Sequence, residues 1–321
     1  MKKIFTLLIL AVLGISYAQT CDDGFRPFEH LGGTTCIPET PQRIVSLRDQ
    51  NITLPLLEFG APVVGSHGRL GDDGEPFMRS VDLHTGVNFE NSDIVFIGDA
   101  IDFEVIASLN PDLIIGREWE MEASAQYEAI APTVFIPDDA QEPLNFSRDV
   151  ADAAGKLAAW DRLKVAYDAN IARVREGIPE LEGTTYTKFR TTSTGLFFVC
   201  AGFGGLTQVL GDLGFERIPY AQEMAGRGVA WCESTSVEIM PELEADYIFD
   251  TYGLDDGENV FSQREKLENL IPSGCDVLTA CTEGRYIAFP IEVASEMSFS
   301  QLNTIIFLIE SHIGRDVAPT N

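Results

Sequence analysis

Basic residues are scarce in this chain of 321 residues: 22 lysines and arginines stand against 50 aspartates and glutamates, so the formal net charge is −28. A surface of that sign repels a phosphate backbone, which excludes nucleic acid as a partner. Negative charge of this size otherwise keeps a protein soluble. Because arginines are few, any arginine that faces a cleft becomes a candidate for binding an anion.

Histidine is scarce as well, with four residues at positions 30, 67, 84 and 312, and no HExxH or similar metal-ligand spacing. This argues against a zinc or manganese site. There is no Cys-x-x-Cys motif and no Gly-x-Ser-x-Gly elbow. We therefore expect no enzyme activity. One alternative of another class is an exported hydrolase whose triad is assembled from distant residues, and a nucleophile hydrogen-bonded to His67 would identify it.

Long apolar runs are absent except at the start, where Lys2 and Lys3 precede the run Ile4–Ile15. That run is too short to span a bilayer well, and the small-x-small site Ser16-Tyr17-Ala18 follows it. We predict that residues 1–18 form a cleavable signal peptide. The mature protein would then be exported, with a periplasmic location.

Six cysteines remain after the predicted signal peptide, and an even number in an exported chain favours disulfide bonds. Several pairings are possible. We predict that near neighbours along the chain pair: Cys21 with Cys36, Cys200 with Cys232, and Cys275 with Cys281.

Residues 156–178 carry apolar side chains at steps of three or four, which predicts one long helix with an apolar stripe. The stripe consists of Leu157, Trp160, Leu163, Tyr167, Ile171, Val174 and Ile178. Stretches that alternate short β-rich runs with helical patterns lie on both sides of this helix. We interpret it as a spine between two α/β lobes, although an ordinary surface helix within one domain would show the same stripe. The predicted divisions are an N-terminal extension (19–40), an N-terminal lobe (41–155), the spine (156–178) and a C-terminal lobe (179–321).

Polar and aromatic side chains follow three predicted strands of the first lobe, in β-α-β order. In parallel sheets ligands lie beyond the carboxyl ends of the strands. The candidates at these ends are Arg48, His67, Arg69, Arg117 and Trp119. Residues 71–92 show no clear period and are predicted to be an extended loop. A helix over residues 146–157 is expected to lead into the spine.

The second lobe is predicted to contain strands at 185–191, 196–200 and 247–249 and a final helix at 300–312. A polar, glycine-containing loop that ends near Cys232 carries Arg227 and Trp231, and Tyr252 follows a strand. Residues 277–278 look like a further strand.

Three segments together indicate a family. Residues 41–65, 103–115 (Phe-Glu-Val-Ile-Ala-Ser-Leu-Asn-Pro-Asp-Leu-Ile-Ile) and 130–134 resemble the bacterial periplasmic binding proteins that serve ABC importers for ferric siderophores, haem and cobalamin. The resemblance implies an α/β fold in which two Rossmann-like lobes are joined by one long spine helix, with the ligand cleft between the lobes.

The resemblance also implies the function and the partners. The expected ligand is a ferric siderophore, with no cofactor and no metal bound directly by the protein, and haem or cobalamin is the alternative ligand. A monomeric receptor would deliver it to an ABC permease in the inner membrane. One exposed glutamate per lobe would dock on arginines of the permease, and the matching residues are Glu104 and Glu238. An acidic residue at a helix start would also be explained by the helix dipole alone.

The arginine candidates suit such a ligand because a guanidinium donates paired, charge-assisted hydrogen bonds to chelate oxygens. Trp119, Trp231 and Tyr252 would stack on planar chelator groups. Surface salt bridges for the arginines and half-buried packing for the aromatic residues are the simpler alternatives. His67 could complete an iron shell, although a lone histidine more often has a structural role.

Overall fold

The computed structural model describes residues 20–137, 143–192 and 194–317. The predicted signal peptide lies outside the described residues. No helix in this described part of the chain has the length and hydropathy to cross a membrane.

The N-terminal extension forms an antiparallel hairpin of two strands, β1 (Phe25–His30) and β2 (Gly33–Pro38). A disulfide between Cys21 and Cys36 closes it. The hairpin packs on the first lobe, because the Leu31 N–H donates to the carbonyl of Phe135 and the side chain of Ile37 is fully buried. The hairpin thus covers an edge of the first sheet.

The first lobe contains a five-stranded parallel sheet with helices between its strands. Its strands and the small hairpin beside it are β3 (Ile44–Ser46), β4 (Val63–Ser66), β5 (Arg69–Leu70), β6 (Pro76–Phe77), β7 (Val95–Phe96), β8 (Leu113–Arg117) and β9 (Thr133–Ile136). Its helices are α1 (Leu54–Glu58), α2 (Val81–Thr85), α3 (Phe103–Ser108), α4 (Ser124–Glu128) and α5 (Pro143–Ala153). The strand order is β7-β4-β3-β8-β9, and all pairs in it are parallel.

Two predictions for this lobe differ from the structure. Residues 71–92 are not a plain extended loop, because they contain β6, which pairs with β5 as an antiparallel hairpin, and the short helix α2. These elements are too short to give a hydrophobic period. The predicted helix over 146–157 also ends early: α5 stops at Ala153, and a turn at Gly155 separates it from the spine.

The spine is helix α6 (Leu157–Gly177). Trp160, Tyr167, Ile171 and Val174 are buried along one face of it, as the stripe predicted. The Tyr167 hydroxyl donates to the carboxylate of Asp212 at 2.5 Å. The polar group of this buried tyrosine therefore has a hydrogen-bond partner in the second lobe.

The second lobe has a mixed sheet. Its strands are β10 (Thr185–Thr191), β11 (Phe197–Cys200), β12 (Glu216–Arg217), β13 (Cys232–Ser234), β14 (Tyr247–Tyr252) and β15 (Tyr286–Pro290). Its helices are α7 (Gly204–Leu213), α8 (Pro219–Gly226), α9 (Val260–Leu270), α10 (Thr279–Thr282), α11 (Ile291–Ala294) and α12 (Phe299–Val317). The strand order is β13-β11-β10-β14-β15, with β12 beside β10; β10, β12, β14 and β15 are parallel, and β11 is antiparallel to both neighbours.

Two further predictions differ from the structure. The expected polar loop before Cys232 contains α8, which begins at Pro219, the preferred residue for the first helical position. Residues 277–278 are not a strand: Val277 ends a short 3₁₀ turn and Leu278 precedes α10. A disulfide joins Cys275 to Cys281 across this turn, and another joins Cys200 to Cys232 between β11 and β13.

The two lobes share one hydrophobic core. It runs without interruption from Ile115 and Phe146 in the first lobe, through Trp160 of α6, to Phe299 and Leu302 of α12. The ring of Phe299 packs edge-on against Trp160, with 5.8 Å between ring centroids. The lobes are therefore joined by packing as well as by the chain.

Candidate functional site

A cavity of about 360 Å³ lies between the two lobes. Its walls come from both lobes, since Trp231 and Glu296 belong to the second lobe and the other lining residues to the first. The lining residues are Arg48, Asp49, Gln50, Asn51, Arg79, Arg117, Trp119, Trp231 and Glu296. We call it the arginine cavity, because three guanidinium groups line it.

Arg117 is the innermost of these arginines. It is the last residue of β8, whose apolar sequence is buried on both faces, so its side chain emerges at the carboxyl edge of the sheet. The residue is only 2% exposed. Its guanidinium lies 4.2 Å from the ring centroid of Trp119 and 5.1 Å from that of Phe146. Its Nη2 also lies 3.9 Å from Glu118 Oε1. A guanidinium held against aromatic faces is a strong hydrogen-bond donor to an oxygen-rich ligand.

Arg48 occupies the same wall. It follows β3, and its guanidinium lies 5.1 Å from the ring centroid of Trp119. The Nε atom donates to Glu120 Oε1 at 2.8 Å, while Glu120 Oε2 accepts the backbone N–H of Arg117 at 2.8 Å. One carboxylate therefore positions both arginines, and Trp119, which is 57% exposed, presents its ring between them.

Arg79 is held by a fully buried carboxylate, that of Asp49. Its Nε and backbone N–H donate to Asp49 Oδ2 at 3.0 and 2.9 Å, and its Nη2 donates to Oδ1 at 2.6 Å. His67 Nδ1 lies 3.2 Å from the same Oδ1. Burial acts to raise the pKa of Asp49, but the hydrogen bonds from His67 and Arg79 outweigh it and hold that pKa well below the usual range.

Trp231 forms the second-lobe wall. It directly precedes the Cys200–Cys232 disulfide, and its carbonyl accepts the N–H of Ala201 at 2.9 Å. Its ring packs edge-on against Phe203, with 6.3 Å between centroids. The disulfide and this contact fix the indole opposite the first-lobe arginines.

The structure brings four of the eight predicted ligand residues together: Arg48, Arg117, Trp119 and Trp231 line the arginine cavity. The other four do not line it. His67 is buried behind Asp49, and Arg69 is paired with Asp99 at 2.7 Å. Arg227 lies half exposed beside Glu233, and Tyr252 ends β14.

The sequence reasoning did not single out several residues that line the cavity or position its arginines: Asp49, Gln50, Asn51, Arg79, Glu120 and Glu296. Asp49, Arg79 and Glu120 matter most, because they form the charged contacts described above. Arg79 lies in the segment 71–92, which shows no hydrophobic period. The sequence therefore predicted no strand there whose end would have made Arg79 a candidate. The available signal was chemical, since Arg79 is a basic residue within a strongly acidic stretch. Glu120 and Asp49 act through the arginines that they position, a role that only the folded chain reveals.

In the described ranges, no group of three or more histidines, cysteines or acidic residues is arranged to hold a metal ion. Within the same ranges, the side chain hydrogen-bonded to His67 is the carboxylate of Asp49. The geometry is that of a binding site for an anionic or oxygen-rich ligand, with aromatic rings on both lobes.

Two α/β lobes, a single spine helix and a cleft at the strand ends define a bilobal solute-binding fold. A sequence profile of the periplasmic binding protein family matches residues 97–267, just over half of the chain. The chain therefore belongs to the periplasmic binding protein family.

Individual relatives extend this likeness to most of the chain. It is 25% identical over 272 residues to the iron(3+)-hydroxamate-binding protein FhuD of Bacillus subtilis, which covers 83% of this chain and 82% of FhuD. It is 27% identical over 297 residues to the iron(3+)-hydroxamate-binding protein YxeB of the same organism, covering 84% of each. Staphylococcus aureus SirA, solved in complex with staphyloferrin B, has the same fold, with a TM-score of 0.74 at 20% identity, over 90% of this chain and 98% of SirA.

Proposed function

We propose that this protein is a periplasmic receptor that binds a ferric siderophore in the arginine cavity and delivers it to an ABC importer. The observation that carries the proposal is the cavity itself, where Arg48, Arg79 and Arg117 meet Trp119 and Trp231 between the lobes. Membership of the periplasmic binding protein family and the ligands named for FhuD, YxeB and SirA support it.

Each residue has a role in this proposal. The three guanidinium groups donate hydrogen bonds to the oxygens of the iron chelate, and the two indole rings cover its apolar parts. The iron stays coordinated by the siderophore, and the protein performs no chemistry on it. His67 positions Asp49, and the proposal gives Arg69, Arg227 and Tyr252 no ligand contact in the arginine cavity.

Ligand titration tests the proposal. The intrinsic tryptophan fluorescence of the mature protein is followed during separate additions of a ferric trihydroxamate, a ferric tricatecholate, ferric citrate, haem and cobalamin. We expect saturable quenching by one ferric chelate, with calorimetry as a second readout. Hydroxamates come first, because FhuD and YxeB of Bacillus subtilis are named for them. Binding of haem or cobalamin alone would contradict the proposal.

Arginine variants locate the site. Loss of a charge-assisted hydrogen bond costs about 1.5–3 kcal/mol, so Arg117→Ala should weaken binding by roughly 10- to 100-fold. Arg227→Ala is the matched control, since Arg227 lies outside the cavity in an exposed ion pair. Because Arg117 is buried, its variant is first checked by circular dichroism, and Arg48→Ala, at a more exposed position, provides a second test. Unchanged affinity in both cavity variants would place the ligand elsewhere.

We further propose that Glu104 and Glu238 dock on the permease. Both are exposed and lie in the first turn of a helical segment, where the cap side chains of Asp102 and Ser236 accept their backbone N–H groups. The backbone is thus capped without these carboxylates, which remain free to contact a partner. The docking role itself rests on the family resemblance.

Charge reversal tests the docking. In cells that carry the permease, the double variant Glu104→Lys with Glu238→Lys should lower uptake of radioactive ferric chelate by about tenfold or more, with ligand affinity unchanged. Glu223→Lys, at an exposed position on α8, is the control. Normal uptake by the double variant would reject the docking role.

The remaining assignments follow from this role. We propose that residues 1–18 are removed on export, that residues 41–155 and 179–321 form the two lobes, and that the receptor is a monomer. Mass spectrometry of the secreted chain and light scattering of the purified protein check the first and the last.

A further inference from the structure

A second and larger cavity, of about 700 Å³, also lies between the lobes. One side is formed by residues 71–90 of the first lobe and the other by Leu254, Asp255 and Glu292 of the second. Its lining is strongly acidic and, among the described residues, contains no lysine or arginine. The first-lobe carboxylates include Asp72, Asp73, Glu75 and Asp82. We call it the acidic cavity.

The two cavities adjoin. Met78 and Ser80 line the acidic cavity, whereas Arg79 between them lines the arginine cavity. The Arg79 guanidinium is near enough to Asp255 for their charges to interact. The backbone of residues 78–80 therefore lies between the arginine cavity and the acidic cavity.

Two buried polar groups of the acidic cavity have no hydrogen-bond partner. Glu292 is 4% exposed, and its Oε1 accepts the N–H of Asp255 at 3.2 Å while its Oε2 is unpartnered. Ser80 is 5% exposed, and its Oγ is also unpartnered. Leaving such groups unsatisfied costs free energy. A positively charged donor that reaches either oxygen would satisfy that oxygen.

The charges on the second-lobe wall of the acidic cavity also favour a positively charged ligand. Burial and the adjacent carboxylate of Glu292 raise the pKa of Asp255. A cation placed beside Asp255 would favour the charged form of this carboxylate.

A primary ammonium fits this wall better than a metal ion. Among the described residues, no three histidine, cysteine or acidic side chains are grouped so that they could hold a metal ion. An ammonium group needs no such shell: it donates up to three hydrogen bonds, and Glu292, Asp255 and Ser80 offer acceptors. Its alkyl stem would pass over Leu83 and Leu254, which also line the cavity.

We propose that the acidic cavity binds a protonated alkylamine arm of the same ferric siderophore whose chelating part occupies the arginine cavity. This inference rests on the proposed function and deepens it. The protein would prefer chelates that carry an amine arm over otherwise identical neutral ones.

A pair of ligands tests this preference. One is a ferric linear trihydroxamate that ends in a free primary amine, and the other is the same chelate with its amine acetylated. The wild-type protein should bind the amine form about tenfold more tightly at low salt, and the preference should shrink as salt screens the charges.

Variants connect the preference to the cavity. Glu292→Gln keeps the shape of the side chain and removes its charge, so it should reduce the preference to about twofold or less while affinity for the acetylated chelate stays unchanged. Ser80→Ala should reduce it in the same direction. Glu223→Gln, at an exposed position, should leave it intact. An equal loss for both chelates in Glu292→Gln would indicate a merely structural role and overturn the inference.

The outcomes separate the two proposals. Equal binding of both chelates by the wild-type protein would reject the amine site and leave the receptor function standing. Failure of every ferric chelate to bind would reject the receptor function, and the amine site with it. Calcium chloride is titrated alone as well: tight calcium binding that is lost in Glu292→Gln would assign the cavity to a metal ion and overturn the inference.

Discussion

Asp49 holds a key position among the residues of the arginine cavity. Its side chain is fully buried, yet it bonds to the guanidinium of Arg79 through both oxygens and lies against His67. A buried ion pair stabilises little compared with an apolar replacement, but breaking one by removing a single partner is costly. The stability of this wall therefore depends on the charge of Asp49.

Asp49→Asn should lower the free energy of unfolding by about 3 kcal/mol at pH 7, since it leaves Arg79 without its carboxylate. Urea unfolding followed by circular dichroism measures this. The control is Asp99→Asn, which breaks the exposed pair with Arg69 and should cost at most about 1 kcal/mol.

The same carboxylate predicts a pH dependence. The pKa of Asp49 in the folded protein lies below its unfolded value of about 3.9, so the unfolded chain takes up the proton first as pH falls. The stabilisation by Asp49 is thus complete well above pH 4 and is lost as pH falls below it. The difference between wild type and Asp49→Asn should shrink between pH 5 and the acid limit, as urea titrations at several pH values will determine. A difference that stays constant over this range would contradict this role.

At the scale of single residues, the sequence made candidates of residues that directly follow a run of apolar, strand-forming residues. It did not indicate residues whose position in the site is set by contact with another side chain. Arg117, which the structure places in the arginine cavity, was a candidate because the apolar run before it predicts a buried strand. Arg79 and Asp49 form an ion pair although they lie 30 positions apart in the chain. No local sequence pattern predicts such a contact.

At the scale of elements, the junction between α5 and α6 decides where the spine begins. Gly155 has a φ of +66°, a conformation that is unfavourable for residues with a Cβ atom. A Cβ atom there would also lie 2.7 Å from the carbonyl oxygen of Glu39, in the segment between β2 and β3. The turn therefore packs closely against the backbone that enters the first lobe.

Gly155→Ala should destabilise the protein by about 1–3 kcal/mol, because it adds backbone strain and a backbone clash. Gly177→Ala, at the other end of the same helix, is the matched control. Gly177 has ordinary helical geometry, and a Cβ atom there meets nothing within 4 Å. This second change should stabilise by up to about 1 kcal/mol. Thermal unfolding of both variants provides the comparison, and equal effects would show that the turn does not constrain the spine.

Elements with a long period or a continuous apolar run were predictable, whereas short elements within polar stretches were not. The stripe of α6 and the buried strand β8 span enough residues to give a pattern. The hairpin of β5 and β6 has two residues per strand, and α8 has eight residues in a polar stretch. Their conformations depend on tertiary contacts that a local reading does not contain.

Across the whole molecule, the contacts between the lobes argue for a stiff connection. Besides the shared core, the carboxylate of Glu58 in α1 accepts the N–H groups of Phe299 and Ser300 at 2.9 and 2.8 Å, at the start of α12. A carboxylate at a helix N-terminus is favoured by the helix dipole. A side chain of the first lobe thus caps the last helix of the second.

A stiff connection predicts one cooperative unfolding transition and little closure on ligand binding. Because Trp160, Phe146 and Phe299 belong to one continuous core, neither lobe can unfold without exposing the other. Calorimetry should therefore show a single peak, and small-angle scattering should show a radius of gyration that changes by less than about 1 Å on binding. Phe299→Ala removes the ring that packs on Trp160 and should cost about 3–5 kcal/mol, broaden or split the peak and allow a larger change in radius. Two outcomes would contradict this coupling: two separate transitions in the wild-type protein, or a ligand-induced contraction as large as in the variant. Either result would mean that the lobes move as hinged bodies and that the shared core does not couple them.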